Sequence, residues 1–251
     1  MHLRYRFVLP LVALCIALAI PALAAKPAPH AIPAANTITT HKQVGNTTAA
    51  AAACQMGILP PAANAFGYIL PPDDEYYTYL VPANCPTCPN NAYLFSNAHV
   101  QLYYTESCSI PVYVSIVGVD NTDPACPHPN PFDVICPEVP YVLSDGGNIG
   151  VCIDYSLPLP AGCCVNRPAF LKFRFEQGTC QPDRPAFCGP PSCQNCRQYN
   201  IYPGSPPGGD DLCAVLAPYA LYGAIMYVDA DCCNATPSLP GTWGHIKTLY
   251  R

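Results

Sequence analysis

The segment Ala169–Glu176 reads A-F-L-K-F-R-F-E, and this stretch decides the fold. Phe173 and Phe175 alternate with Lys172 and Arg174. Successive side chains of a β-strand point to opposite faces, so the two phenylalanines lie on one side and the two cations on the other. This period of two predicts a strand with one buried face and one solvated face.

Six further segments are also rich in β-branched and aromatic residues. They are Tyr76–Val81, Val100–Thr105, Val112–Val119, Tyr141–Leu143, Ile149–Tyr155 and Ala224–Val228. Turn-forming sequences separate several of them, at 145–148, 203–206 and 207–210. The 32 prolines and 16 glycines argue against a helical bundle. We therefore predict an all-β fold, a disulfide-rich β-sandwich or jelly roll, as a single domain over residues 54–236. A domain boundary near Pro140 is the alternative.

The two ends of the chain differ from this central part. Residues 1–25 have a short basic start, an apolar run of 14 residues and an Ala22-Leu23-Ala24 cleavage sequence, which predict a secretory signal peptide. That run is too short to span a membrane. Residues 26–53, rich in Pro, Ala and Thr, are expected to form a flexible linker. Residues 237–251 are predicted to form a short amphipathic helix that begins after Thr242.

Charge excludes two classes of partner. Only 11% of the residues are charged, and the formal net charge is −5. Removal of residues 1–25 lowers Lys+Arg from 11 to 9 against 16 acidic residues, so the balance becomes −7. Nucleic-acid binding needs clustered cations, and docking to anionic lipid does as well. The sequence therefore predicts neither partner, and it predicts no transmembrane segment in the mature chain.

Cysteine is the most informative residue type. Of 17 cysteines, Cys15 lies in the predicted signal peptide, and the remaining 16 form an even set. In an oxidising compartment such a set predicts eight disulfides. The candidates are Cys54, Cys85, Cys88, Cys108, Cys126, Cys136, Cys152, Cys163, Cys164, Cys180, Cys188, Cys193, Cys196, Cys213, Cys232 and Cys233. Spacing alone does not give their pairing.

Local cysteine spacing leaves some alternatives open. The C-x-x-C pairs at 85–88 and 193–196 are also found in zinc and thiol-redox sites. More than a hundred residues separate the two pairs, and no βαβ pattern surrounds either, so structural disulfides are favoured. The vicinal pairs 163–164 and 232–233 place neighbouring side chains on opposite faces of a strand. Each cysteine of a vicinal pair is therefore expected to bridge to a separate partner.

Two sets of residues are candidate binding sites. Asp210, Asp229 and Asp231 could supply oxygen ligands to a structural calcium ion, with solvated turn carboxylates as the alternative. No other cofactor is expected. Tyr76, Tyr77, Tyr103 and Tyr104 form two doublets whose rings could stack on a ligand, with ordinary sheet positions as the alternative.

Several cysteine motifs resemble those of a known group. They are Pro82-Ala83-Asn84-Cys85-Pro86-Thr87-Cys88, Cys163-Cys164 before the Phe-rich strand, Cys193-Gln194-Asn195-Cys196, Asp231-Cys232-Cys233 and the tail Trp243–Arg251. This layout resembles a group of uncharacterised exported bacterial proteins with a cysteine-rich β-sandwich domain, over most of residues 66–251. The resemblance implies the same fold, an exported location and a single domain. It implies no activity.

These observations favour a secreted, non-catalytic binding or structural protein of the cell exterior or cell surface. Its expected partners are an extracellular glycan, a matrix component or protein, or other copies of itself. The alternative is an extracellular hydrolase that uses carboxylates such as Asp229 and Asp231. The sequence leaves enzyme activity open and favours its absence.

Overall fold

A computed structural model describes residues 30–32, 54–62, 64–67, 73–82, 85–180 and 184–233. These residues form fourteen β-strands and one α-helix, and the strands build two antiparallel sheets. The all-β, disulfide-rich prediction is therefore confirmed. The predicted signal peptide and C-terminal helix lie outside the described residues. Within the predicted linker, three residues are described, and they form strand β1.

The first sheet has eight strands in the order β1-β3-β11-β5-β14-β2, with β8 and β9 also paired to β5. Their bounds are β1 His30–Ile32, β2 Cys54–Ile58, β3 Asn64–Gly67, β5 Tyr93–Tyr103, β8 Cys152–Pro158, β9 Cys164–Val165, β11 Ala186–Gly189 and β14 Met226–Cys232. Strand β5 lies at the centre, and β14 and β8 flank it over much of its length. This arrangement places outward side chains of all three strands next to each other.

The second sheet has six strands in the order β13-β12-β4-β10-β6-β7. Their bounds are β4 Asp74–Leu80, β6 Ser109–Asp120, β7 His128–Ser144, β10 Ala169–Phe175, β12 Gln198–Ile201 and β13 Asp210–Asp211. The helix α1, Leu212–Leu216, follows β13, and Asp211 caps it by accepting a hydrogen bond from the Cys213 amide at 2.9 Å. The sequence did not predict this helix.

The main core lies between the two sheets. Strand β10 contributes Leu171, Phe173 and Phe175 to it, and all three are fully buried. On the opposite face of β10, Lys172 contacts Glu75 at 2.6 Å and Arg174 contacts Glu176 at 2.7 Å. The predicted alternation of this strand is therefore confirmed.

Strand β7 is much longer than the predicted segment Tyr141–Leu143. It runs for 17 residues, includes four prolines and pairs only with β6 along one edge of the second sheet. Proline lacks an amide hydrogen, so it is confined to edge strands and bulges. The register between β6 and β7 shifts at three places. The edge position therefore explains how this proline-rich segment forms a strand.

The sixteen candidate cysteines form eight disulfides. The pairs are Cys54–Cys85, Cys88–Cys232, Cys108–Cys180, Cys126–Cys196, Cys136–Cys163, Cys152–Cys188, Cys164–Cys233 and Cys193–Cys213. No C-x-x-C pair is bridged internally, and each member of a vicinal pair has its own partner. The two vicinal pairs are joined to each other through Cys164–Cys233. Three bridges thus form one continuous covalent path from Cys88 to Cys136.

Candidate functional site

The four candidate tyrosines are buried, so the predicted ligand face built from them is wrong. Tyr76, Tyr77 and Tyr104 have relative exposures of 0–1%, and Tyr103 has 7%. Tyr76 packs edge-on against Phe187 at 4.8 Å in the main core. Aromatic side chains favour sheet positions, and here they fill the interior rather than cover a surface. The structure supports the alternative, that these tyrosines occupy ordinary sheet positions.

The three candidate calcium ligands are not brought together. Asp210 lies in β13 and accepts a hydrogen bond from the Tyr202 hydroxyl at 2.7 Å. Asp229 and Asp231 lie in β14 of the other sheet, where Asp231 is exposed. Among the described residues, the group of three His, Cys, Asp or Glu side chains with metal-ligand spacing is Cys126, Cys196 and Asp211. Because these two cysteines are bridged to each other, they offer no thiolate to a metal.

Asp229 belongs instead to a polar cluster on the outer face of the first sheet. His99 of β5 lies opposite Tyr227 of β14, and the two rings stack at 4.3 Å. The Nε2 atom of His99 lies 2.9 Å from Asp229, and its Nδ1 atom lies 3.7 Å from Asp154 of β8. The three neighbouring strands thus place one imidazole between two carboxylates.

Hydrogen bonds hold both carboxylates of this His99 cluster in place. The Tyr227 hydroxyl donates to Asp154 at 2.6 Å, and the Gln55 side chain donates to Asp229 at 2.9 Å. Burial alone would raise the pKa of Asp229, but the bonds and charge of His99 together with Gln55 hold it below its ordinary value. His99 itself is only 4% exposed.

The His99 cluster encloses an imidazole between two carboxylates. Burial disfavours the imidazolium, yet the contacts with Asp154 and Asp229 outweigh it and raise the pKa of His99 to about 9. The ring is therefore protonated at neutral pH and faces a carboxylate on each side. A protonated, enclosed imidazole has no lone pair to act as a general base. We interpret the cluster as a structural ion-pair network.

A cleft opens at one end of the sandwich, where the two sheets separate. Its cavity has a volume of about 520 Å³. The end of β4, the middle of β2, the end of β9 and the starts of β5 and β10 contribute to its walls. These strands meet there because Leu80 pairs with Ala169 and Tyr93 pairs with Val165. The apolar lining is Met56, Tyr79, Leu80, Val81, Pro82, Tyr93, Phe95, Val165, Pro168 and Ala169. This volume and lining are typical of small-ligand sites.

Two arginines supply the charge of the cleft. The guanidinium of Arg197 lies 5.4 Å from the ring centroid of Tyr79, a cation–π contact. Among the described residues Arg197 has no carboxylate partner, whereas Arg167 on the same lining is paired with Asp133 at 2.8 Å. Arg197, Tyr79 and Val81 also line a second cavity of about 260 Å³. Arg197 is thus a half-buried cation shared by two adjacent cavities.

A family profile described as a domain of unknown function, DUF7451, matches residues 40–230. The chain belongs to the DUF7451 family. No curated protein and no solved structure matches it. The matched range contains the second sheet, the lining of the cleft and the His99 cluster, so all of these are parts of the DUF7451 domain. Within the described residues, no helix has the length and apolar character needed to span a membrane.

Sequence reasoning missed both sites of this DUF7451 domain. One signal was present: between residues 54 and 233 the chain has only five lysines and arginines, namely Arg167, Lys172, Arg174, Arg184 and Arg197. Because these cations are few, the partner of each one is informative. However, the lining of the cleft comes from five strands far apart in the chain, and His99 meets its carboxylates 55 and 130 residues away. Sequence spacing gives no indication of either arrangement.

Proposed function

We propose that the protein is a secreted, non-catalytic binding protein whose cleft takes an apolar group with an anionic group beside it. One observation carries the proposal: Arg197, without a carboxylate partner among the described residues, stands at the mouth of a cavity with buried apolar walls. Apolar walls supply affinity, and a single charged group fixes orientation. The eight disulfides support an oxidising environment outside the cytosol.

The lining argues for an apolar ligand group rather than a bare glycan. Its polar members are Asn91, Asn166, Arg167 and Arg197, against ten apolar side chains. Leu80, Phe95 and Val165 back the cleft and are buried already, so they offer a ligand group apolar contacts and no hydrogen-bond partners. A glycan would leave these walls without apolar partners. The two candidate tyrosine doublets, whose rings could have stacked on a sugar or another ligand, are buried elsewhere.

Binding of dodecanoate tests this function by isothermal titration calorimetry. We expect saturable binding, and we expect Arg197→Gln to weaken it about tenfold, because a hydrogen bond to a charged group contributes roughly 1.5–3 kcal/mol. Arg167→Gln is the matched comparison. Since Asp133 already neutralises Arg167, we expect that change to weaken binding by less than about threefold.

Two further probes define the pocket. Val81→Trp places a bulky ring in the half-buried wall shared by both cavities and is expected to abolish dodecanoate binding. The cationic amphiphile dodecyltrimethylammonium should bind at least about tenfold more weakly than dodecanoate, since it meets the arginine charge with a like charge. Equal binding of the two amphiphiles, or dodecanoate binding that survives Val81→Trp, would contradict the proposal.

A further inference from the structure

The second cavity beside the cleft differs from it in chemistry. This polar cavity has a volume of about 260 Å³, and the neutral amide side chains of Gln55 and Gln194 line it. Tyr79, Val81 and Arg197 line both the polar cavity and the cleft, so these three residues form the wall between them. The backbone amide of Tyr79 donates to the carbonyl of Arg197 at 2.8 Å, which holds the wall together. A ligand that occupies both cavities therefore passes beside Arg197.

Arg197 places the positive charge between the two cavities rather than at the far end of either one. Its guanidinium lies 5.4 Å from the centroid of the Tyr79 ring, on the shared wall. A carboxylate or a phosphate monoester ends a chain, so it carries a substituent on one side only. A phosphodiester has one negative charge and joins two substituents, and a guanidinium binds its oxygens well. The position of Arg197 therefore suits a phosphodiester better than a terminal anion.

The lining of the polar cavity favours a neutral, hydroxylated group. Among its described lining residues none is acidic, so a cationic group there meets no carboxylate and lies near Arg197. The amides of Gln55 and Gln194 both donate and accept hydrogen bonds, as hydroxyl groups do. Asp229 accepts a hydrogen bond from Gln55 at 2.9 Å, which fixes the orientation of that amide. The cavity of about 260 Å³ has room for roughly eight water-sized groups, which accommodates a glycerol.

We infer that the ligand is a single-chain amphiphile with a phosphodiester between its apolar chain and a glycerol-like head. The apolar chain lies in the cleft, the phosphodiester contacts Arg197, and the head lies in the polar cavity. This inference rests on the proposed function, because it names the chemical class of the ligand that occupies the same cleft. It adds the polar cavity as the binding site of the head, which dodecanoate lacks.

Isothermal titration calorimetry with three amphiphiles tests the inference, each kept below its critical micelle concentration. Dodecylphosphoglycerol, methyl dodecyl phosphate and dodecylphosphocholine share one apolar chain and one phosphodiester, and they differ only in the head. We expect dodecylphosphoglycerol to bind about tenfold more tightly than either of the others, because only its head has hydroxyl groups that bond to the two amides.

Two variants separate the head from the phosphodiester. Gln194→Leu removes an exposed amide of the polar cavity and should reduce the preference for the glycerol head to less than about threefold. Gln177→Leu is the matched control and should keep the full preference, because Gln177 is an exposed glutamine beyond Phe175, the end of β10 opposite the cleft residue Ala169. Arg197→Gln should weaken dodecylphosphoglycerol and methyl dodecyl phosphate alike, by about tenfold, and keep the preference.

The outcomes distinguish failure of this inference from failure of the cleft as a binding site. If dodecanoate binds but the glycerol head adds no affinity over the methyl head or the choline head, the inference is overturned and the proposed function stands. A preference for the glycerol head that survives Gln194→Leu overturns the inference as well. If neither dodecanoate nor any of the three phosphodiesters binds, both the inference and the proposed function are wrong.

Discussion

Raising the pH from 6.5 to above 9 is expected to lower the free energy of unfolding by about 3 kcal/mol through His99 alone. The pKa of this imidazole rises from 6.5 in the unfolded chain to about 9 in the folded protein. A raised pKa means that the folded state binds the proton more tightly. The stabilisation is therefore fully present below pH 6.5 and is lost as the pH rises through about 9.

The groups that face His99 account for this direction. Asp229 and Asp154 carry the negative charge, and the Tyr227 ring stacks on the imidazole. Deprotonation removes the cation between the two carboxylates and leaves them with neutral hydrogen-bond donors only. Burial raises the pKa of Tyr227, so this phenol stays neutral across the same pH interval. It therefore does not contribute to the change in the free energy of unfolding with pH there.

Urea unfolding at pH 5 to 9.5 measures the effect, with His99→Gln as the test variant. We expect this variant to be less stable than the parent near pH 6 and to lose most of the slope between pH 6.5 and 9. His128→Gln is the control, because His128 contacts the Gly208 carbonyl at 3.3 Å and pairs with no carboxylate among the described residues. If the free energy of unfolding of His99→Gln falls with pH as steeply as that of the parent, the interpretation is wrong.

Removing the bridge between Cys136 and Cys163 is expected to cost about 3–4 kcal/mol, since it closes a loop of 27 residues. Cys136 lies in β7 of the second sheet, and Cys163 precedes β9 of the first sheet. This bridge is the covalent link that fastens the proline-rich edge strand to the opposite sheet. The double variant Cys136→Ala with Cys163→Ala leaves the other seven bridges without a free thiol.

Hydrogen exchange shows whether the Cys136–Cys163 bridge holds β7 in place or only adds to the stability of the whole domain. Cys193→Ala with Cys213→Ala removes the bridge that closes a loop of 20 residues and should lower the free energy of unfolding by about 3 kcal/mol. Only the Cys136 and Cys163 variant should accelerate amide exchange in residues 128–144, because only that change frees β7. If both double variants accelerate exchange in that strand equally, the assigned role of the bridge is incorrect.

The parts of the fold that follow from local pattern could be predicted from the sequence. Phe173 and Lys172 alternate because neighbouring strand residues must face opposite sides, and this holds without knowledge of any partner strand. The even cysteine count likewise predicts complete pairing. Most of strand β7, all but the predicted segment Tyr141–Leu143, was missed. Proline carries a strong signal against strands, and only the position of β7 at a sheet edge makes its prolines acceptable.

The candidate sites could not be predicted because tertiary contacts create them. A tyrosine such as Tyr76 suits a strand equally well on a surface or in a core, so the sequence does not show which of the two it occupies. The burial of its side chain in the folded protein does. Asp229 was singled out as a calcium ligand, and its actual partner is His99, which no sequence pattern connects to it. Arg197 is a candidate binding residue only because residues of five separate strands form an apolar cleft beside it. Local chemistry identifies residue types, and only the topology brings them together.

The covalent path from Cys88 through Cys232, Cys233, Cys164 and Cys163 to Cys136 has a mechanical consequence. Tension applied to the chain beyond Cys233 does not have to be carried by the backbone hydrogen bonds that hold β14 beside β5. It passes instead through sulfur–sulfur bonds to both sheets at once. Peeling of β14 from the sheet is thereby blocked, and the domain bears load until a covalent bond breaks or is reduced.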